Sequence, residues 1–319
     1  MALGDLVAGV DVGGTKVAVL VVDRAANVRS RLTFPTRLES GPDSTLDGIA
    51  EAIEEAVRLA EGRAGDLQAV GIGVPGRVDP QTGVVRSAVN LGWREMPVGE
   101  ALSKRLGAPC ILENDVRTAA LGVQRYFGKK APKDMVYISV GTGIAAGLIL
   151  DGKVYRGSHG LAGEIGHMVI EPDGQACACG ARGCLETVAA GPAIARMGEE
   201  AVRAGAQSLL REYRRITAQG VYQAASEGDA VAAEIARKVG GYLALVLQQM
   251  IVAYDVEMIV LGGGVSRAGD AFLRPVIEEL ARLRKGSALE SEMIQTEMIR
   301  LLPPDYDAGT WGAVALAGG

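Results

Sequence analysis

Two stretches decide the fold: VDVGGTKVAVLVVD (10–23) and ISVGTGIAAGLILD (138–151). Laid over one another without gaps, each reads as an apolar strand, a Gly/Thr turn, a second apolar strand and an aspartate. β-Branched runs bounded by glycine turns read as strands. Two such copies in one chain predict two related α/β units, each opening with a strand–turn–strand hairpin.

Beyond the first copy comes a polar segment. A helical pattern then runs from Ser44 to about Gly62, with apolar residues on one face of IAEAIEEAVRLAE. LQAVGIGVPG (67–76) reads as a buried strand, followed by a short helix over Val98–Leu106 and a strand at CILEN (110–114). Asp115 opens the next helix, at the strand edge where open α/β sheets place ligands. GKKAPKD (128–134) has no apolar period and reads as a hinge. Beyond the second hairpin, a loop-rich stretch reaches about 187 and long helices run through 250. A strand at VEMIVLGGG (256–264), a helix over 268–284, another strand and a last helix over 307–317 follow.

The chain has 319 residues, 48% of them apolar, a net charge of −5 and a pI near 5.3. No basic stripe is available to neutralise nucleic-acid phosphates, so no nucleic acid is expected as partner. No apolar run reaches the roughly 20 residues of a membrane span, and MALGDLVAGVDVGG lacks a signal-peptide pattern. A cytoplasmic protein is expected, in a compartment where disulfides are rare.

Three glycine turns have the character of phosphate holders. DVGGTK (11–16) joins strand to strand and is not a Walker A loop, yet Gly13 and Gly14 expose successive backbone N–H groups to an anion. Thr15 and Lys16 add a hydroxyl and a positive charge, and Asp11 is placed to hold a water on Mg²⁺. Thr142 and Gly143 repeat the geometry in the second copy. Gly263 and Gly264, in GGGVS (262–266), follow a strand and open a helix, so a nucleotide can lie on bare backbone. Any one of these turns is as compatible with an ordinary hairpin. Together they predict a nucleotide between two units, and hence phosphoryl transfer, a reaction run mainly by positioning and electrostatics.

The acceptor side needs a proton acceptor. Asp115, beside Asn114, reads either as a helix N-cap or as a rigidly held general base. Asn90 in VNLGW (89–93), with Glu164 and His167 in GLAGEIGHM (160–168), adds an amide, a carboxylate and an imidazole. A sugar requires such a set, because each hydroxyl both donates and accepts.

CACGARGCLE (177–186) gathers three of the four cysteines. A Cys179–Cys184 disulfide is conceivable but leaves Cys177 odd. Cys177, Cys179 and Cys184 with His167 make a Cys₃His set for Zn²⁺, and four ligands leave no open position for catalysis. Such a clamp would fix the His167 ring and Glu186 against the sugar.

These motifs, with GVPGRVD (73–79), END (113–115), GTGIAAG (141–147) and LGGGVS (261–266), resemble the ROK family of repressors, open reading frames and kinases, and within it the bacterial glucokinases. The resemblance implies an actin-like, ribonuclease-H-like fold of two α/β domains with sugar in the cleft and ATP·Mg²⁺ beside it. The domains would be 1–127, completed by the C-terminal helix at about 303–319, and 128–302 with the zinc loop and oligomer contacts. It implies Asp115 as the base toward the 6-hydroxyl, and Asn90, Asn114, Glu164, His167 and Glu186 as binders of the other hydroxyls. It further implies a homodimer or homotetramer. Glucose is the expected sugar. The alternatives are an N-acetylmannosamine, mannose or fructose kinase, or a catalytically idle sugar-binding regulator. Repressor members carry a winged helix before the first motif, whereas ten residues precede Asp11 here, so DNA binding is not expected. Gly122-Val123 departs from the Gly-Glu of many members.

Overall fold

The computed structural model describes residues 6–38 and 41–318, so the reading of the N-terminus in part lies outside the described residues. The first half runs β1 (Leu6–Val12), β2 (Lys16–Val22), β3 (Val28–Pro35), α1 (Pro42–Leu59), β4 (Leu67–Val74), β5 (Arg77–Asp79), β6 (Val84–Ala88), β7 (Trp93–Met96), α2 (Val98–Leu106), β8 (Cys110–Asn114) and α3 (Asp115–Phe127). The second half runs β9 (Met135–Val140), β10 (Ile144–Leu150), β11 (Lys153–Tyr155), α4 (Glu186–Ala189), α5 (Gly191–Arg203), α6 (Ala218–Ser226), α7 (Ala230–Tyr254), β12 (Met258–Gly262), α8 (Asp270–Arg284), α9 (Ala288–Met293), β13 (Ile299–Leu301) and α10 (Ala308–Leu316).

Two five-stranded sheets share one topology. Their orders are β3-β2-β1-β4-β8 and β11-β10-β9-β12-β13, with the first three strands antiparallel and the last two added parallel. The hairpin repeat is therefore real in structure, but the ungapped overlay slips after the turn. Val12 pairs with Val17 in the first hairpin, whereas Val140 pairs with Ile144 in the second. The first turn is one residue longer. Val22 thus corresponds to Ile149, and the matched aspartates Asp23 and Asp151 are not equivalent. The segment read as polar contains β3, an edge strand whose arginines face outward and mask the alternation.

Side-chain alternation assigns the layers. In β9, Val136, Ile138 and Val140 face the core built with α5–α8, while Met135 and Tyr137 face α3. In β1, Ala8, Val10 and Val12 face the core built with α1 and α2, while Val7 turns to α10. Helices α3 and α10 lie between the sheets and cross at almost no distance. A Cβ on Gly122 would sit 2.0 Å from the Ala308 carbonyl oxygen, and one on Gly312 1.7 Å from that of Thr118. Gly9 and Gly71 likewise admit α10 onto β1 and β4. Val123, the departure from the family pattern, is fully buried against Met135, Tyr137 and Ile149.

Candidate active site

The ends of β1 and β9 and the starts of α3 and α10 enclose a cavity of about 670 Å³. Asp11, Lys16, Asp115, Tyr137, Gly263 and Asp307 are among its lining residues. Asp11 falls on the α10 face of β1 because it shares parity with Val7 and Gly9. It also presses on Gly309, where a Cβ would lie 2.7 Å from Asp11 Oδ2.

Asp115 is not the cap of its helix. Asn114 is, and its Oδ1 accepts the Val116 and Arg117 N–H groups at 3.0 and 3.1 Å. Asn114 Nδ2 donates to the Gly76 carbonyl at 3.1 Å and to Asp115 Oδ1 at 2.9 Å, and Val116 N–H reaches the same oxygen at 2.9 Å. Asp115 is thus held from one side while it lines the cavity with its carboxyl. Burial raises its pKa above the ordinary aspartate value, and the charge of Glu164 adds to this, while Val116 N–H and Arg117 oppose it. Burial also pushes Asp11 up to about 7, helped by the charges of Asp115 and Asp307 and opposed by Lys16. Asp11, Asp115, Asp305 and Asp307 against Lys16 and Arg267 leave the lining with an excess of carboxylates, which favours a cation. Asp307 escapes a motif-level reading. Its signal is the capping position before the small-residue helix in DYDAGTWGA, where it accepts Thr310 N–H.

The turn after β1 is pinned. Gly13 N–H donates to the Lys16 carbonyl at 2.8 Å, and Thr36 Oγ1 donates to the Gly13 carbonyl at 2.7 Å. Gly14 approaches Asn90, which stands exposed on the turn between β6 and β7, so that a Cβ would sit 3.2 Å from Asn90 Cβ. A second cavity of about 430 Å³ is lined by Gly141, Thr142, Arg215, Thr217 and others, and adjoins the first along Gln219 and Gly264. Gly263 turns with φ 89°, and its Cα lies so near β9 that a Cβ would be 2.5 Å from the Val140 carbonyl oxygen. Gly143 meets the sugar-side set, its hypothetical Cβ being 3.2 Å from Glu186 Oε2.

His167 is the hub of that set. Its Nε2 lies 4.0 Å from Glu164 Oε2, while Nδ1 lies 3.7 Å from Glu186 Oε1 and 3.6 Å from Cys177 Sγ. Cys179 and Cys184 Sγ are 3.7 Å apart, and the ligand atoms of all four residues lie within 4.8 Å of one another. A zinc tetrahedron with Zn–S about 2.3 Å and Zn–N about 2.0 Å has edges of about 3.8 and 3.5 Å. The Cys177–His167 and Cys179–Cys184 separations match those edges, so the donor set suits the ion. The loop reaches this shape because Gly183, at φ 68°, lies against the Glu171 carbonyl where no side chain fits, and because Cys177 N–H closes on the Ala181 carbonyl at 2.8 Å.

The ROK family model matches residues 7–319. A glucokinase from Halalkalibacterium halodurans is 36% identical over 273 residues, covering 84% of this chain and 83% of its own. A glucokinase from Thermotoga maritima is 33% identical over 314 residues, covering 97% and 96%. Among solved structures, a ROK family glucokinase from Streptomyces griseus in complex with glucose and AMPPNP aligns with a TM-score of 0.78 at 32% identity, over 98% of this chain and 99% of that one. The duplicated actin-like sheets and the near-complete match lead to one conclusion: the chain belongs to the ROK family.

Proposed function

We propose that this protein is a sugar kinase that transfers the γ-phosphoryl group of ATP to the 6-hydroxyl of glucose. The observation that carries the reading is Asp115, held by Asn114 in a cavity that Lys16 and Gly263 also line. The similarity to glucokinases over nearly the whole chain supports it.

Glucose would be held by Asn90, Asn114, Glu164, His167 and Glu186. As the 6-oxygen forms its bond to the γ-phosphorus, Asp115 takes the hydroxyl proton, the bond to the bridging oxygen breaks and ADP departs. Gly13, Gly14, Thr15 and Lys16 on one side, and Thr142 and Gly143 on the other, would bind the phosphates, with the nucleoside on Gly263 and Gly264. Asp11 and Asp307 would hold Mg²⁺ through water, which supplies charge neutralisation when bound. His167, Cys177, Cys179 and Cys184 would hold a structural zinc. Residues 1–127 with α10 would form one domain and 128–302 the other, in a cytoplasmic homodimer or homotetramer. Among the described residues no helix is long and apolar enough to cross a membrane.

Purified protein with ATP, Mg²⁺ and glucose should yield glucose 6-phosphate in a coupled assay. Failure to turn over glucose, mannose, fructose and N-acetylmannosamine alike would remove the enzyme reading. Tight sugar binding in the same samples would then favour the regulator.

A further inference from the structure

Outside the residues given roles above, one group of charges adjoins Asn114 and Asp115. Glu113, the β8 residue before Asn114, is fully buried. Its Oε1 accepts Arg117 Nε at 2.8 Å and the Asn114 backbone N–H at 2.8 Å, and its Oε2 accepts Arg156 Nε at 2.6 Å. Arg117, 3% exposed, also donates from Nη1 to the Gly160 carbonyl at 3.1 Å. Its Nη2 is buried without a partner among the described residues. Arg156 follows β11 at the edge of the second sheet and is 41% exposed.

The contacts join the two halves of the chain. Glu113 and Arg117 belong to the strand and helix that carry Asn114 and Asp115, whereas Arg156 and Gly160 bracket the loop that leads to Glu164 and His167. One continuous path therefore runs from Arg156 through Glu113 to the Asn114 amide, and from Asn114 Nδ2 to Asp115 Oδ1. A fully buried carboxylate is strongly disfavoured unless paired and hydrogen-bonded, so the path has little freedom to drift.

We propose that Glu113, Arg117 and Arg156 form an ionic clasp that sets the distance between the base Asp115 and the hydroxyl-binding loop, making all three positioning residues of the sugar site. The proposal rests on the sugar-kinase reading above. The clasp acts on sugar geometry and leaves the nucleotide turns alone.

Arg156 is the residue to test, because removing Glu113 would leave Arg117 buried without its partner and endanger folding. Arg156→Ala should lower kcat/KM for glucose by about tenfold to a hundredfold, since a misplacement of about 1 Å can cost up to about a hundredfold in rate. The KM for ATP at saturating glucose should hold, while the melting temperature should fall modestly, because Oε2 of the fully buried Glu113 loses its partner. Arg156→Lys should recover part of the loss. Hydrogen exchange should quicken across 157–168 in Arg156→Ala while α5–α8 are unchanged. An unchanged kcat/KM for glucose overturns the clasp, as does a rise of the KM for ATP in parallel with that for glucose. Wild-type protein that binds glucose in calorimetry without phosphorylating it refutes the kinase reading alone, and the calorimetric affinity of Arg156→Ala then decides the clasp. Wild-type protein that does neither overturns both.

Discussion

Asp115 has to be ionised to take a proton, yet the burial that excludes water from it raises its pKa. The acid limb of kcat/KM should accordingly lie above the ordinary aspartate value of about 3.9, with activity lost as pH falls through it. Asp11 interacts with Asp115, so that limb belongs to the pair. Asp115→Asn should keep glucose binding in calorimetry and lower kcat by about 10²–10⁴; an unchanged rate removes Asp115 as base. Asp11 bears on stability as well. With its folded pKa raised to about 7, the folded state holds a proton that the unfolded state has released between about pH 4 and 7, so stability falls as pH rises through that window. Asp11→Asn should raise the melting temperature of the ligand-free protein at pH 8 and change it little at pH 5. Equal shifts at both pH values would contradict the charge argument. At this scale motifs were enough to single out Asp11 and Asp115, which share one cavity, and His167, which lies among the cysteines. Asp307 and the Glu113 clasp were not, because what defines them is a neighbour far along the chain.

Among the elements, the cysteine loop was the easiest to place, since its candidate ligands are close in sequence and glycines mark its bends. Elemental analysis should find one zinc per chain. Stripping it with a chelator should loosen His167 and Glu186, raising the glucose KM on the order of tenfold and lowering the melting temperature. Full activity in zinc-free protein would separate the loop from the sugar site. Strand β3 was hidden by its arginines, and β5–β7 are three to five residues each, too short for a period to show. Both hairpins were evident, but not the extra residue in the first turn, because equivalence across the sheets depends on register and not on matched letters.

For the whole molecule, the α3–α10 crossing joins the two sheets. Gly312→Ala should destabilise by about 3 kcal/mol, at the upper end of overpacking costs, read as a shift in the urea midpoint. Gly241→Ala is the control: no neighbour lies within 4 Å of its Cβ in α7, so it should stabilise by about 0.5–1 kcal/mol. The architecture as two related α/β units was legible from the repeated hairpin. The common strand order was not, since it is settled by pairings between distant segments.

The seat of α10 on β1 and β4 also has a consequence for synthesis. Val7, Leu20 and Val22 are buried with Val314, yet the ribosome makes β1 and β2 well before α10. Until α10 is made one face of the first sheet stays open, and nascent chains should need a chaperone's cover over β1 and β2. A fragment ending at Phe127 should be insoluble when expressed alone and be rescued when a peptide spanning Ala308–Leu316 is supplied in trans.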